Sequence, residues 1–176
     1  TSEAASMGKY HTFIKESDLF YKLTVSQLER IEELCEERVY QPGETIFEEN
    51  SRSTELYLIL NGRVEILLNP ALVSPENAGH EPISIASLWR GQSFGEIALV
   101  DEGVRSASAR AAAPDTRVLK ISRQKFLDLC SADPEMGHRV MFNLALDLSQ
   151  KIRSADLKIR EVLLYQKPGA HDPATP

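Results

Sequence analysis

The chain has 176 residues, enough to bury one core and too few for several domains, and its 42% hydrophobic and 26% charged residues exclude a disordered or fibrous protein. A formal net charge of −6 argues against sequence-independent nucleic-acid binding, which needs a clustered basic face, so an anion bound here has to be held locally. No apolar run reaches the about 18 residues of a spanning helix, and the first residues lack the basic and apolar regions of a secretory leader, so a cytoplasmic chain without membrane insertion is expected.

Residues 1–10 are expected to be a tail. Residues 11–34 read as helical, with Ser26 and Glu29 spaced as a capping box and with Leu28, Ile31, Leu34 and Cys35 on one face. Gln41-Pro42-Gly43-Glu44 then punctuates the chain, and short runs rich in Ile, Leu and Val follow at Thr45–Phe47, 56–60, 64–68 and 83–88, so the period changes from helix to strand. Asn61-Gly62 between two of these runs predicts a two-residue hairpin turn. Residues 69–82, with three prolines, Asn77, Gly79 and His80, predict a mobile polar loop.

Beyond Gly91 come Ser93-Phe94-Gly95-Glu96, a short apolar segment over Ile97–Val100, the alternating stretch 105–110 and a last strand over 117–121. Ser122 can cap a helix that places Phe126, Leu129 and Cys130 on one face, and Asp133-Pro134 can start another, with Pro at the first helical position. The domain therefore reads as 11–132. Residues 133–167 form a long helix, interrupted only by Gly137 and stopped by Pro168-Gly169, with 168–176 as tail. At about 1.5 Å per residue that helix is a rod of roughly 50 Å. Its Met141, Ala145, Leu148, Ile152, Ala155, Ile159 and Val162 recur in alternating steps of four and three, as in a coiled-coil seam. The stripe can pack on its own domain or pair two copies as a homodimer, and the turns around 140–144 are expected to touch the strand domain.

The constellation with chemical content is Phe94-Gly95-Glu96-Ile97-Ala98-Leu99-Val100 followed by Arg105-Ser106-Ala107-Ser108. Gly95 and Glu96 open a helical turn whose unpaired N–H groups suit an oxyanion, with Gly95 allowing close approach. Arg105 can fork onto two oxygens of a phosphate. Glu96 adds a carboxylate that can accept from a sugar hydroxyl. On spacing alone, an ordinary surface salt bridge between Glu96 and Arg105 is the competing reading.

This stretch resembles the phosphate-binding cassette of cyclic nucleotide-binding domains. The resemblance extends to Leu19-Phe20, Leu23 and Leu28, to Tyr40-Gln41-Pro42-Gly43-Glu44-Thr45-Ile46-Phe47, and to Tyr57-Leu58-Ile59-Leu60-Asn61-Gly62-Arg63-Val64-Glu65, so it covers roughly residues 15 to 135. It implies a mainly β fold, a jelly-roll-like β-roll or double-stranded β-helix, with N-terminal helices and a long C-terminal helix. It also implies a regulatory sensor of cAMP, favoured over cGMP, whose C-terminal helix moves about an Asp133-Pro134-Gly137 hinge and signals to an unknown downstream protein. The ligand-binding residues it implies are Gly95, Glu96, Ile97, Ala98, Arg105, Ser106 and Ala107, with Glu96 on the ribose 2′-hydroxyl, Arg105 on the cyclic phosphate, and the backbone N–H groups of Ala98 and Ser106 helping. Ser106 suits either base, and Ser108 and Phe142 are candidate base contacts, with Met141 and residues 144–146 as further candidates for a cap. Val104 departs from the family's usual Pro before the Arg and loses a fixed φ.

Neither a cofactor nor an enzymatic activity is expected. His11, His80, His138 and His171 are scattered and suggest no metal site, and Gly91-Gln92-Ser93-Phe94-Gly95 lacks the Lys-Ser/Thr of a P-loop. Cys35 and Cys130 read as buried free thiols, Trp89 as a core or rim residue, and the residues from Lys167 onward as too few for a DNA-reading module. The alternative function is a ligand-free protein-docking module that keeps the fold.

Overall fold

A computed structural model describes residues 8–72, 74, 76, 79–101 and 104–165. Eight strands form two four-stranded antiparallel sheets. They are β1 (Cys35–Tyr40), β2 (Thr45–Phe47), β3 (Glu55–Asn61), β4 (Arg63–Leu68), β5 (Ile83–Trp89), β6 (Ser93–Phe94), β7 (Ser108–Ala111) and β8 (Thr116–Ser122). One sheet has the order β1-β8-β3-β6 and the other β2-β7-β4-β5, so this is the expected β-roll. Helices α1 (His11–Glu16) and α2 (Val25–Glu32) precede it. The short α3 (Ile97–Val100) interrupts it, and α4 (Arg123–Ala132) and the 32-residue α5 (Pro134–Tyr165) follow.

The run 56–60 is apolar at every position because β3 is covered on both faces. Leu56, Leu58 and Leu60 face a core made with the helices, including Phe20, Phe126, Met136, Val140 and Leu144. Tyr57 and Ile59 point the other way, to a second core with Val64, Leu88, Phe94, Ala109 and Val118 between the sheets. Both cysteines are free and half-buried, and burial pushes the thiol of Cys130 up to about 11 and that of Cys35 up to about 12.

Asn61-Gly62 does not make the predicted hairpin: β3 and β4 lie in different sheets, and β4 pairs instead with β5 and β7. A two-residue turn of the primed type I needs positive φ at both central residues. Here Asn61 stays in β3, opposite Arg117, and only Gly62 is left-handed, at φ +83°. A Cβ at Gly62 would lie 2.7 Å from the Thr116 Cα, so the dipeptide is a tight corner where the chain changes sheet. The hairpin is β4–β5, joined through the predicted 69–82 loop, of which Val73, Pro75, Asn77 and Ala78 lie outside the described residues.

The predicted helix over 11–34 is broken. Lys22 has φ +63°, the segment Asp18–Phe20 tightens into a 3₁₀ turn that buries Leu19 and Phe20, and Asn143 of α5 donates to the carbonyls of Leu19 and Tyr21 at 3.1 and 2.9 Å. The capping box is Thr24 with Gln27, not Ser26 with Glu29. Cys35 opens β1 rather than extending the helical face. At the other end Ser122 occupies the N-cap of α4 without a side-chain bond, whereas the Asp133 carboxylate accepts from the Met136 N–H at 3.0 Å and from Gln27 and Arg30 of α2. Gly137 continues α5 and lets it press against α4: an added Cβ would sit 2.9 Å from the Cys130 carbonyl oxygen. Of the expected tail over 1–10, residues 8–10 are described and held, the Tyr10 N–H donating to Glu32 Oε1 at 2.7 Å and Lys9 pairing with Glu37 at 2.7 Å, whereas residues 1–7, the expected tail over 168–176 and the expected stop of the helix at Pro168-Gly169 lie outside the described residues.

Candidate functional site

A cleft of about 830 Å³ opens between the second sheet, the segment 93–107 and the distal half of α5. Gly95, Glu96, Ile97, Ala98, Arg105, Ser106 and Ala107, which the sequence singles out, all line it. Arg105 and Glu96 are each 6% exposed, too buried for the surface salt bridge that spacing alone would suggest.

Arg105 is built in from three sides. Its Nε donates to the Ser53 hydroxyl at 2.7 Å, Nη1 to the Gly95 carbonyl at 3.2 Å and Nη2 to the Glu55 carbonyl at 2.7 Å. The guanidinium carbon lies 4.1 Å from the centre of the Phe47 ring, which packs with Tyr57 and Phe94. Its backbone is pinned as well, between the Ser51 carbonyl and the Asn50 N–H. Burial works against the charge of Arg105, and the fields of Glu55 and Glu96 partly oppose that. Among the described residues the nearest carboxylate oxygen, Glu55 Oε2, is 3.9 Å away, while Glu55 Oε1 is bound to Lys120 at 2.9 Å. The guanidinium has five N–H donors, and its three protein contacts leave donors over.

Gly95 has φ +74°, and an added Cβ would lie 2.7 Å from Arg105 Nη1. What comes close to this glycine is therefore the guanidinium, where the sequence suggested the anion itself. Glu96 follows as the N-cap of α3. The Ala98 N–H, expected to help bind phosphate, donates to the Gly95 carbonyl at 3.2 Å. The Glu96 carboxylate meets a partner the sequence reading missed: Lys151 of α5, whose Nζ donates to Oε1 at 2.8 Å. Burial presses against the ammonium of Lys151, but Glu96 and Asp147 outweigh it and hold its pKa above the ordinary lysine value.

The candidate base contacts fall elsewhere. The Ser108 hydroxyl accepts from the Glu49 N–H at 2.9 Å, and Phe142 is 56% exposed, so neither lines the cleft. Leu144 belongs to the core, Met141 packs against it, and Ala145 and Leu146 are exposed. The helix lines the cleft from Asp147 and Gln150 onward, through Lys151, Ser154, Ala155, Lys158 and Ile159, and Lys158 Nζ donates to the Ile85 carbonyl at 2.7 Å. Ala155 and Ile159 belong to the apolar stripe read from the sequence, and the available signal for Lys151, Ser154 and Lys158 was their spacing of three and four beside it. Trp89 is 55% exposed and stacks with Arg63. Among the described residues no group of three or more His, Cys, Asp or Glu side chains could hold a metal. No helix there is long and apolar enough to cross a membrane.

One cleft of this β-roll thus carries the half-buried Gly95, the buried Glu96 and the buried Arg105. The sequence profile of the cyclic nucleotide-binding domain matches residues 37–133, more than half of the chain, and the chain belongs to that family. It is 33% identical over 146 residues to the cyclic AMP receptor protein of Thermus thermophilus, covering 83% of this chain and 62% of the relative. It is 29% identical over 119 residues to human cGMP-dependent protein kinase 2, covering 67% of this chain and 15% of the kinase. The crystal structure of the Thermus thermophilus catabolite activator protein superposes with a TM-score of 0.67 at 32% identity, over 83% of this chain and 63% of that one. The chain thus spans less than two thirds of these relatives.

Proposed function

We propose that this chain is a sensor module that binds a cyclic nucleotide in the cleft, cAMP in preference to cGMP, without converting it and without a cofactor. The observation that carries the reading is Arg105, a buried guanidinium fixed by neutral oxygens, with spare donors and, among the described residues, no carboxylate closer than 3.9 Å. A monoanionic phosphodiester supplies the missing charge at a donor already oriented for it. Glu96 then accepts from the ribose 2′-hydroxyl, and the exposed Ser106 sits at the cleft for the phosphate or the base. The preference for cAMP rests on the higher identity and longer match to the relative named for cAMP than to the one named for cGMP.

Because α5 lines the cleft, a ligand can favour one position of that helix over another, which is the requirement for a signal. In this reading α5 moves about the turn at Asp133-Pro134, and the seam from Ile152 through Ile159 to Val162, exposed in the single chain, pairs two copies of a cytoplasmic protein that acts on a downstream partner. Calorimetric titration of the folded chain with cAMP and with cGMP tests the assignment. Micromolar or tighter binding of cAMP, weaker for cGMP, is expected; no heat from either would favour the protein-docking alternative.

A further inference from the structure

Glu55 opens β3 and meets Arg105 twice. Its carbonyl accepts from Nη2 at 2.7 Å, and its carboxylate lies beside the same nitrogen, with Oε2 3.9 Å away, an ion pair too long for a hydrogen bond. That oxygen is buried and accepts no hydrogen bond among the described residues. The other oxygen, Oε1, is taken by Lys120 of β8 at 2.9 Å. The strand register brings this cation here: Ser122 lies opposite Glu55 and Lys120 opposite Tyr57, so Lys120 is the diagonal neighbour of Glu55 on one face of the sheet, within reach of a long side chain. On its other flank Lys120 lies opposite Glu36 of β1, which pairs with Arg38 at 2.9 Å. Neither Glu55 nor Lys120 lines the cleft.

We propose that Lys120 is a positioning residue for nucleotide binding: by holding Glu55 at Oε1 it keeps that carboxylate from closing on Arg105, and so leaves the guanidinium to the ligand's phosphate. The proposal rests on the cyclic-nucleotide reading above. Nη2 has two N–H donors and gives one to the Glu55 carbonyl. The other can go to a phosphate oxygen or to Glu55 Oε2. A buried carboxylate oxygen without a hydrogen bond is unfavourable, so a Glu55 released from Lys120 gains by turning to the guanidinium. Once there it neutralises the charge that the phosphate needs, and the ligand has to displace it. Lys120 removes that gain. Burial presses the Glu55 carboxyl up, but the bond from Lys120 leads the contributions that outweigh it and hold the group below the ordinary glutamate value. At 3.9 Å the carboxylate lends its field to the buried charge of Arg105; at hydrogen-bond distance it would compete for it.

The test is a double-mutant cycle on the whole chain, read by calorimetry with cAMP beside a thermal melt of each variant. Lys120→Gln should bind cAMP roughly tenfold more weakly. Glu55→Gln, which removes the competing acid, should bind it about three- to fivefold more tightly. The double variant should match Glu55→Gln alone, because the lysine then has no carboxylate to restrain, and Lys120→Arg, which keeps the cation, should bind as the wild type does. A crystal structure of ligand-free Lys120→Gln should show Glu55 Oε2 about 2.8 Å from Arg105 Nη2. If the melts show Lys120→Gln unfolded, Lys120→Met, which keeps the apolar stem, takes its place. The proposal is overturned if losing Lys120 weakens binding equally with and without the Glu55 carboxylate, which would make it a mere source of positive field, or if Glu55 keeps its wild-type place in the ligand-free variant. If the wild type binds neither cAMP nor cGMP, the cyclic-nucleotide reading fails and this proposal falls with it. If the wild type binds and Lys120→Gln binds equally well, that reading stands and this proposal alone falls.

Discussion

Arg105 and Glu96 are equally buried on one cleft, yet they are secured in opposite ways. The guanidinium is locked by a hydroxyl, two carbonyls and an aromatic ring, all of the roll. The carboxylate is held by an ammonium from a helix whose first turns pack into the core through Met136, Val140 and Leu144 and whose distal half meets the roll through polar contacts. One end of the cleft is thus preorganised to supply affinity, and the other is tied to an element able to move. A rigid contact sets how tightly a ligand binds, and a contact shared with a second body can report that it has bound.

The contrast can be broken most severely at the rigid end. Arg105→Ala should cost roughly 2–5 kcal/mol of nucleotide binding, because it leaves a buried phosphate without its partner. Calorimetry beside a thermal melt separates this from unfolding, and wild-type affinity would remove Arg105 from its role. Glu96→Ala should cost less, about 0.5–1.5 kcal/mol, rising to about 3 because its acceptor is charged, with part of the loss offset as Lys151 is set free; a loss exceeding that of Arg105→Ala would mean the two roles are exchanged. Ser53→Ala should weaken binding by about 1 kcal/mol by loosening the guanidinium, and cGMP should suffer as much as cAMP, since the hydroxyl serves the phosphate end.

The smallest effect is expected at the base of α5. The Met136 N–H, then Gln27, hold the Asp133 carboxyl below the ordinary aspartate value of 3.8. A depressed folded pKa contributes stability that is complete above the unfolded value and is lost as pH falls through the folded one. Hydrogen exchange of the first turn of α5 should therefore quicken in acid below about pH 4, and Asp133→Asn should abolish that dependence.

The strands at 56–60, 64–68 and 117–121 were legible because their apolar runs are buried, and the cassette because its glycine, acid and arginine have fixed jobs. The strand at Cys35–Tyr40 was not: its Glu36 and Arg38 sit on an exposed face, and Glu-rich sequence continued the helical pattern before it. The hairpin expected at Asn61-Gly62 failed because the dipeptide specifies a sharp turn and says nothing about which strands pair across it; that depends on Thr116, far along the chain. The break near Lys22 depends likewise on Asn143 of α5. In the cleft, the sequence yields the residues of one contiguous cassette. It hides Ser53, Glu55 and Lys151, because single polar residues carry no pattern until the fold brings them to Arg105 and Glu96.

The most direct measurement is a crystal structure of the chain grown with cAMP. It should place two phosphate oxygens about 2.7–2.9 Å from the Arg105 guanidinium and the ribose 2′-oxygen on Glu96. Density for the nucleotide anywhere else, or a cleft filled by its own side chains in the presence of saturating cAMP, would contradict the account.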